Sequence, residues 1–131
     1  MAKELFDILT FDYAKIENID ITTTDPDWTD LLNLNTPARP PGVYALKFSL
    51  QFHLNSTSQS FIYQFSMDGG ATWGYEYQKE VKDRSNVEII EVLNILETVT
   101  EAPIQVACRV TREGSANCTV IKCVLSCERK Q

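Results

Sequence analysis

Few residues of this chain have the types and spacing that chemistry needs. His53 is the single histidine, and no second histidine or neighbouring cysteine in the sequence joins it as a base or a metal ligand. Asp25, Asp27 and Asp30 are spaced like calcium ligands, but their loop lacks the glycine and the closing glutamate of an EF-hand. We therefore predict a surface histidine, a solvated acidic loop, and neither a metal nor a cofactor.

Four cysteines, Cys108, Cys118, Cys123 and Cys127, fall near the end of the chain. Their C-x4-C-x3-C spacing lacks the C-x2-C knuckle of zinc sites. The first residues carry early charges and no uninterrupted apolar run, so we expect no secretory signal and a reducing cytoplasm as the place of synthesis. Free thiols packed within strands follow from that expectation.

Catalytic motifs are missing from the sequence. It contains no GxSxG, HExxH or P-loop pattern, so we predict that the protein is not an enzyme. A carboxylate pair for glycoside hydrolysis stays open, because it depends on proximity in space. The net charge of −6 and the pI of about 4.7 argue against nucleic-acid binding and against docking on anionic membranes. No apolar run approaches the length of a membrane span.

The most specific local pattern is S-x-D-x-G-x-T-W between two aromatic-rich runs. Asp68 is placed to accept backbone N–H groups ahead of it, and two glycines supply positive φ at no steric cost. The pattern resembles the Asp-box turn of sialidases, which in that family is structural and lies away from the active site. One such box in 131 residues cannot build the sialidase propeller. We predict a structural turn formed by Ser66, Asp68, Gly69, Gly70, Thr72 and Trp73.

This turn should join two antiparallel strands, residues 61–65 and 73–81. Pairing residue 65 with 75 and residue 63 with 77 places the aromatic side chains on one side of the hairpin. The same register predicts a five-residue loop, 68–72, after which Trp73 re-enters the sheet.

Strand patterns dominate the rest of the chain. Residues 43–54 alternate between apolar and polar side chains, which predicts one buried and one wet face. Residues 87–96 fit a helical face (Ile89, Val92, Leu93, Leu96) and also a strand face (Val87, Ile89, Leu93, Ile95), and their β-branched content favours the strand. A short strand around residues 28–34 should precede a rigid proline-rich loop, 36–42.

We predict a closing hairpin from residues 104–112 and 118–127. Matching their apolar faces pairs 108 with 121 and 106 with 123. Cys108 and Cys123 are then diagonal neighbours about 7–8 Å apart, too far for an easy disulfide. Cys118 would point to the face opposite Cys123 and Cys127.

Together these strands predict one all-β domain, a jelly-roll-like β-sandwich over residues 25–131. Residues 1–24 show neither helical nor strand periodicity and are expected to form an extended N-terminal arm or peripheral strands. The arm is apolar enough to need a partner surface, either its own sandwich or a neighbouring chain.

The order of these features, over residues 26–128, resembles the small jelly rolls of the tumour-necrosis-factor and C1q type. It also resembles the jelly-roll decoration, or cement, proteins of tailed-phage heads. The resemblance implies a non-enzymatic virion protein, assembled in the host cytoplasm, that binds and stabilises a capsid as a homo-oligomer (trimer or dimer). Its partner would be the major capsid protein or another virion protein, with no nucleic acid and no membrane involved.

On that interpretation the arm and the wet face of strand 43–54 supply partner contacts. The candidate residues are Phe6, Phe11, Tyr13, Lys47, Gln51 and His53. The alternative is a carbohydrate-binding or receptor-binding module of a phage tail, in which aromatic side chains stack on sugar rings. The candidates for stacking are Trp28, Trp73, Tyr75 and Tyr77, although alternation places most of them in the core. Two or more of them lying flat and open to solvent would favour sugars.

Overall fold

A computed structural model describes residues 11–57 and 59–131, which form eight strands. The strands are β1 (Phe11–Asp20), β2 (Thr29–Arg39), β3 (Gly42–Leu54), β4 (Ser60–Ser66), β5 (Tyr77–Glu80), β6 (Glu88–Thr98), β7 (Ala102–Arg112) and β8 (Cys118–Arg129). None of the described residues lies in a helix that could cross a membrane.

The strands make two antiparallel four-stranded sheets. The first sheet has the order β1-β8-β3-β6, and the second has the order β2-β7-β4-β5. The chain therefore folds as nested antiparallel pairs, β4 with β5, β3 with β6, β2 with β7 and β1 with β8. This topology is that of a jelly roll, and it confirms the predicted all-β sandwich.

The inner rows of the two sheets form one aromatic core. Phe48 and Phe52 of β3 are buried, as the alternation in residues 43–54 predicts. Phe52 stacks on Phe61 of β4 with ring centroids 4.0 Å apart, and Phe48 meets the edge of Phe65 at 4.3 Å. These contacts join the sheets, since aromatic pairs bury large areas with defined geometry.

The predicted closing hairpin is wrong. β7 pairs with β2 and β4, whereas β8 pairs with β1 and β3, so the two strands lie in different sheets. The turn at residues 113–117 crosses from one sheet to the other. Cys108 and Cys123 consequently face each other across the core, with their Sγ atoms 4.0 Å apart and both thiols free.

A bulge in β8 overturns the prediction that Cys118 points away from the core. The pairing with β3 shifts between Lys122 and Val120, which leaves Ile121 as an extra residue. An extra residue reverses the alternation that follows it. Cys118 is therefore buried on the same side as Cys123, and burial raises the pKa of its thiol to about 12.

Strand β1 changes face at the matching position. Asn18, which lies across from the bulge, has a φ of 55°. As a result Ile16 and Ile19, three residues apart, both pack against the core. β1 is an edge strand of the first sheet, and Ile21 beyond it is buried. The division of the chain at residue 24 stays a prediction, and residues 1–10 lie outside the described residues.

Two further predictions need correction. Residues 36–39 continue β2 instead of forming a loop, because Pro37 lies at a register shift on an edge strand, where its missing N–H breaks no ladder bond. β6 is a strand, as the β-branched content favoured, but its faces are reversed. Ile90 is buried, whereas Ile89, Leu93 and Ile95 point outward and are exposed.

The bulge gives a stability prediction for Cys118→Ser. We expect this change to cost about 1–3 kcal/mol of unfolding free energy, because it places a hydroxyl without a partner in an apolar core. Thr119→Ser is the control, since it keeps the hydroxyl that donates to Asp20. Urea unfolding of both variants measures the difference. Equal stability of Cys118→Ser and the unaltered protein would contradict the inward orientation.

Candidate functional site

The outer face of the first sheet is an open groove of about 550 Å³. Its strands β1, β8, β3 and β6 lie side by side, so their outward rows form a continuous surface. Apolar walls come from Phe11, Val124, Leu93 and Ile95. The groove extends across the sheet from β1 to β6.

The groove is basic although the protein is acidic. Among the residues that the structure describes, Lys47, Lys122 and Lys130 line it, against the single carboxylate of Glu128, in a chain of net charge −6. Glu128 forms an ion pair with Lys130 at 3.3 Å, so the described part of the groove lining keeps net positive charge at Lys47 and at Lys122, which lies opposite Glu17 of β1. The surface therefore suits a partner that offers acidic and apolar groups.

Three of the predicted contact residues meet in this groove. Phe11, Lys47 and Gln51 all line it. Tyr13 is exposed beside Phe11, with ring centroids 6.1 Å apart. That these residues bind a partner stays a prediction.

Of the other two candidates, His53 does not line the groove. His53 is half-buried at the far end of β3, and its Nε2 is hydrogen-bonded to the backbone carbonyl of Arg84. Phe6 lies outside the described residues.

Sequence reasoning missed the contribution of β6 to the groove. Leu93 and Ile95 were assigned to a core-facing row, but they are exposed by 63% and 60%. The signal was present in the sequence, because both rows of this strand are apolar. A strand in a two-layer sandwich can bury only one of them against the core.

The outer face of the second sheet, by contrast, is partly covered by the chain itself, while Asn33 and Asn35 of β2 stay exposed. The guanidinium of Arg109 on β7 lies 4.5 Å from the ring centroid of Trp28 and 4.3 Å from that of Trp73. It also donates two hydrogen bonds, of 2.9 and 2.7 Å, to Oε1 of Gln64 on β4. Gly69 packs against Gln105 on the same face. These contacts hold the loop that follows β4 down on the sheet.

The predicted turn residues come together in that loop. Ser66 donates its hydroxyl to Asp68 Oδ1 at 2.6 Å and accepts the N–H of Gly70 at 2.8 Å. Asp68 accepts the backbone N–H of Thr72 at 2.9 Å and its hydroxyl at 2.5 Å. Gly69 and Gly70 both have positive φ. The carboxylate is engaged within the turn, and its relation to the Asp-box stays a prediction.

The connection is longer than the predicted five residues. β4 ends at Ser66 and β5 begins at Tyr77, so the loop spans residues 67–76. Tyr63 pairs with Tyr77 as predicted, and their rings stack 5.3 Å apart. Residue 75 does not pair with residue 65, because the Phe65 carbonyl accepts the N–H of Gly74 instead. Trp73 leaves the strand direction to cover Arg109.

Metal-ligand geometry is missing from the part of the chain that the structure describes. No three His, Cys, Asp or Glu side chains within residues 11–57 and 59–131 are grouped so that they could hold a metal ion.

The turn predicts a backbone penalty at Gly70. Gly70→Ala should cost about 1–2 kcal/mol of stability, since φ is 97° while a Cβ would meet only Trp73 at 3.6 Å. Gly74→Ala is the matched control, because Gly74 lies in the same loop without positive φ. Thermal unfolding compares the two. Equal melting temperatures would show that residue 70 carries no strain penalty.

The hydrogen bonds of the turn also predict how Asp68 titrates. Donation from Ser66, and then from Thr72, lowers the pKa of Asp68 from 3.8 to about 2. The stabilisation is therefore complete above pH 3.8 and is lost as the pH falls through about 2. Ser66→Ala should move the pKa of Asp68 upward, as measured by carboxyl ¹³C NMR. An unchanged midpoint would exclude the Ser66 hydroxyl as the main cause.

Comparisons with known proteins agree on the fold. No protein family and no curated protein matches the chain. Among solved structures, the infectious bursal disease virus VP2 subviral particle is similar, with a TM-score of 0.61 and 9% identity over 92% of this chain and 33% of that one. Derived T=1 particles of the same virus give a TM-score of 0.63 and 7% identity, over 92% and 32% of the two chains.

Eiger TNF from S. frugiperda is similar with a TM-score of 0.52 and 10% identity, over 91% of this chain and 92% of that one. The chain spans about one third of the length of the viral structures. At such identities the likeness concerns the fold alone. The chain is a β-sandwich of the type found in a viral capsid protein and in a TNF.

Proposed function

We propose that this protein is a non-enzymatic structural subunit of a virus particle, which binds and stabilises a capsid shell as a homo-oligomer. Its partner is the major capsid protein, or another virion protein, of a tailed phage, and its place is the virion. The fold shared with a viral capsid protein supports a structural role of this kind. The phage setting and the decoration role come from the order of features in the sequence.

The difference between the two outer faces carries the proposal. One face is partly covered by the protein's own chain, where Trp28, just before β2, and Trp73, in the loop at residues 67–76, enclose Arg109. The other face is open, apolar and basic, with Phe11 and Lys47 in its groove. A large exposed apolar surface on a folded domain marks an interaction site. The groove crosses the whole sheet from β1 to β6, an extent that suits a protein surface better than a small substrate.

The groove chemistry supports a binding role over catalysis. Glycoside hydrolysis needs two carboxylates, and Glu128 is the one carboxylate among the described residues that line the groove. Glu128 is also ion-paired with Lys130. The remaining lining groups are lysines, hydroxyls, an amide and apolar side chains.

The sugar-binding alternative is less well supported. Trp28 and Trp73 are both engaged with Arg109, and Tyr77 stacks on Tyr63. Tyr75 alone of the four candidates is mostly exposed, at 74%, and it meets Tyr77 edge-on. A flat platform of two open rings, which sugar stacking favours, is not formed by these side chains.

Binding to capsid shells tests the proposal. The double variant Lys47→Glu/Lys122→Glu should weaken co-sedimentation with undecorated phage shells at least about tenfold, a loss of roughly 1.4 kcal/mol, and binding by the unaltered protein should fall with added salt. Lys82→Glu is the control, because this exposed lysine lies in the turn at residues 82–86, outside the groove.

Two results would count against the proposal. Equal binding by the double variant and the control would remove the groove from the contact. A protein that binds no shell, and binds an oligosaccharide on a glycan array instead, would overturn the capsid role.

A further inference from the structure

Four strands lie at the edges of the two sheets, and three of them carry features that block the addition of another strand. β5 has only four residues. β2 has two register shifts and contains Pro37. β1 is kinked at Asn18, where φ is 55°, and its outward row carries Lys15 and Glu17.

The fourth edge strand, β6, is neither short, kinked nor interrupted, and the charged residues of its outward row are Glu91 and Glu97. It is eleven residues long and pairs with β3 in an unbroken register from Glu88 to Thr98. It contains no proline, glycine or lysine. Within the described residues its other edge has no strand partner, so its outward backbone N–H and C=O groups are open to pairing.

The side chains of this edge are also unusual. The outward row contains Ile89, Leu93 and Ile95, each about 60% exposed. Tyr75, which is 74% exposed, adjoins Ile95 across a small cleft. A long, regular and apolar edge strand is the arrangement that pairs with another chain most readily.

We propose that β6 is a self-association site, at which the β6 strands of two copies pair antiparallel and join their first sheets into one continuous eight-stranded sheet. This inference deepens the proposed function, and it rests on the homo-oligomer named there. Antiparallel pairing of two eleven-residue strands forms about ten backbone hydrogen bonds. That number is typical of a stable protein interface.

The strand is compatible with a twofold axis. Pairing centred on Val92 places Ile89 opposite Ile95 of the second copy, so apolar side chains meet on the outward face. Pairing centred on Leu93 also keeps every glutamate away from another glutamate. A centre at residue 94 would set Glu91 against Glu97, and like charges opposite each other are destabilising. The partner that this edge fits is therefore a second copy of the same strand.

Two lysine substitutions of equally exposed side chains test the proposal. Ile89→Lys places a charge on β6, outside the groove lining, whereas Tyr13→Lys places one on the opposite edge strand of the same sheet. Their side chains are 59% and 63% exposed in the present structure. Sedimentation equilibrium should give twice the chain mass of 14.9 kDa for the unaltered protein and for Tyr13→Lys. Ile89→Lys should give the single chain mass.

Hydrogen exchange provides the second measurement. Amides of β6 that point away from β3 should be protected in the unaltered protein and should exchange at least tenfold faster in Ile89→Lys. Circular dichroism checks that both variants are folded. Should Ile89→Lys unfold, Ile95→Lys, which is 60% exposed on the same outward row, takes its place in the mass measurement.

The outcomes separate this inference from the proposed function. A single-chain mass for the unaltered protein, a trimer, or an unchanged mass for Ile89→Lys overturns the β6 pairing. If such a protein still binds capsid shells through the groove, shell binding stands and only the pairing fails. If Ile89→Lys is a monomer while the unaltered protein is a dimer, the β6 pairing is supported. If that unaltered dimer binds no shell, the capsid role is overturned.

Discussion

The contact between the inner rows of the two sheets is the interaction on which the rest of this structure depends. Phe52 against Phe61 and Phe48 against Phe65 fix the sheets face to face. Because each strand has two faces, this contact can bury one row of every strand and no more. The second row of each strand must be covered by another part of the chain, exposed to water, or used to bind a partner.

The two sheets meet that constraint differently. In the second sheet the chain covers part of its own outer row, because the loop at residues 67–76 lies over β7 and Trp73 packs on Arg109. The turn of Ser66 and Asp68 makes this possible, since it shapes the start of the loop. In the first sheet the outer row stays open, with lysines and apolar side chains along the groove. An interaction surface on the first sheet is the simplest account of that asymmetry.

Much of the fold followed from the sequence, because alternation over a long strand such as residues 43–54 identifies a half-buried strand without reference to its neighbours. Which strands are neighbours in each sheet could not be predicted from the sequence. The 113–117 turn has the composition of a hairpin loop, yet β7 and β8 belong to different sheets, and only competition among all eight strands decides that. The bulge at Ile121 could not be predicted either, because the composition of a strand does not show where its register shifts. That shift turns Cys118 inward.

The candidate site was predicted only in part, because alternation within a strand identifies its two faces and does not show which face is buried when both are apolar. Phe11, Lys47 and Gln51 were found because polar positions of an alternating strand, and an apolar segment before it, indicate an outer surface. Leu93 and Ile95 were missed because an apolar side chain is assigned to the core by default, and the sequence does not show that the other row of β6 already fills that place.

Hydroxyl-radical footprinting of the free and the shell-bound protein tests the central claim most directly, namely that the outer face of the first sheet is the contact surface. The account predicts that oxidation of Phe11 and Leu93 falls sharply on binding, while that of Tyr75 and Trp73 changes less. Protection confined to Trp73 and the loop at residues 67–76, with Phe11 and Leu93 still oxidised at the free rate, would contradict it.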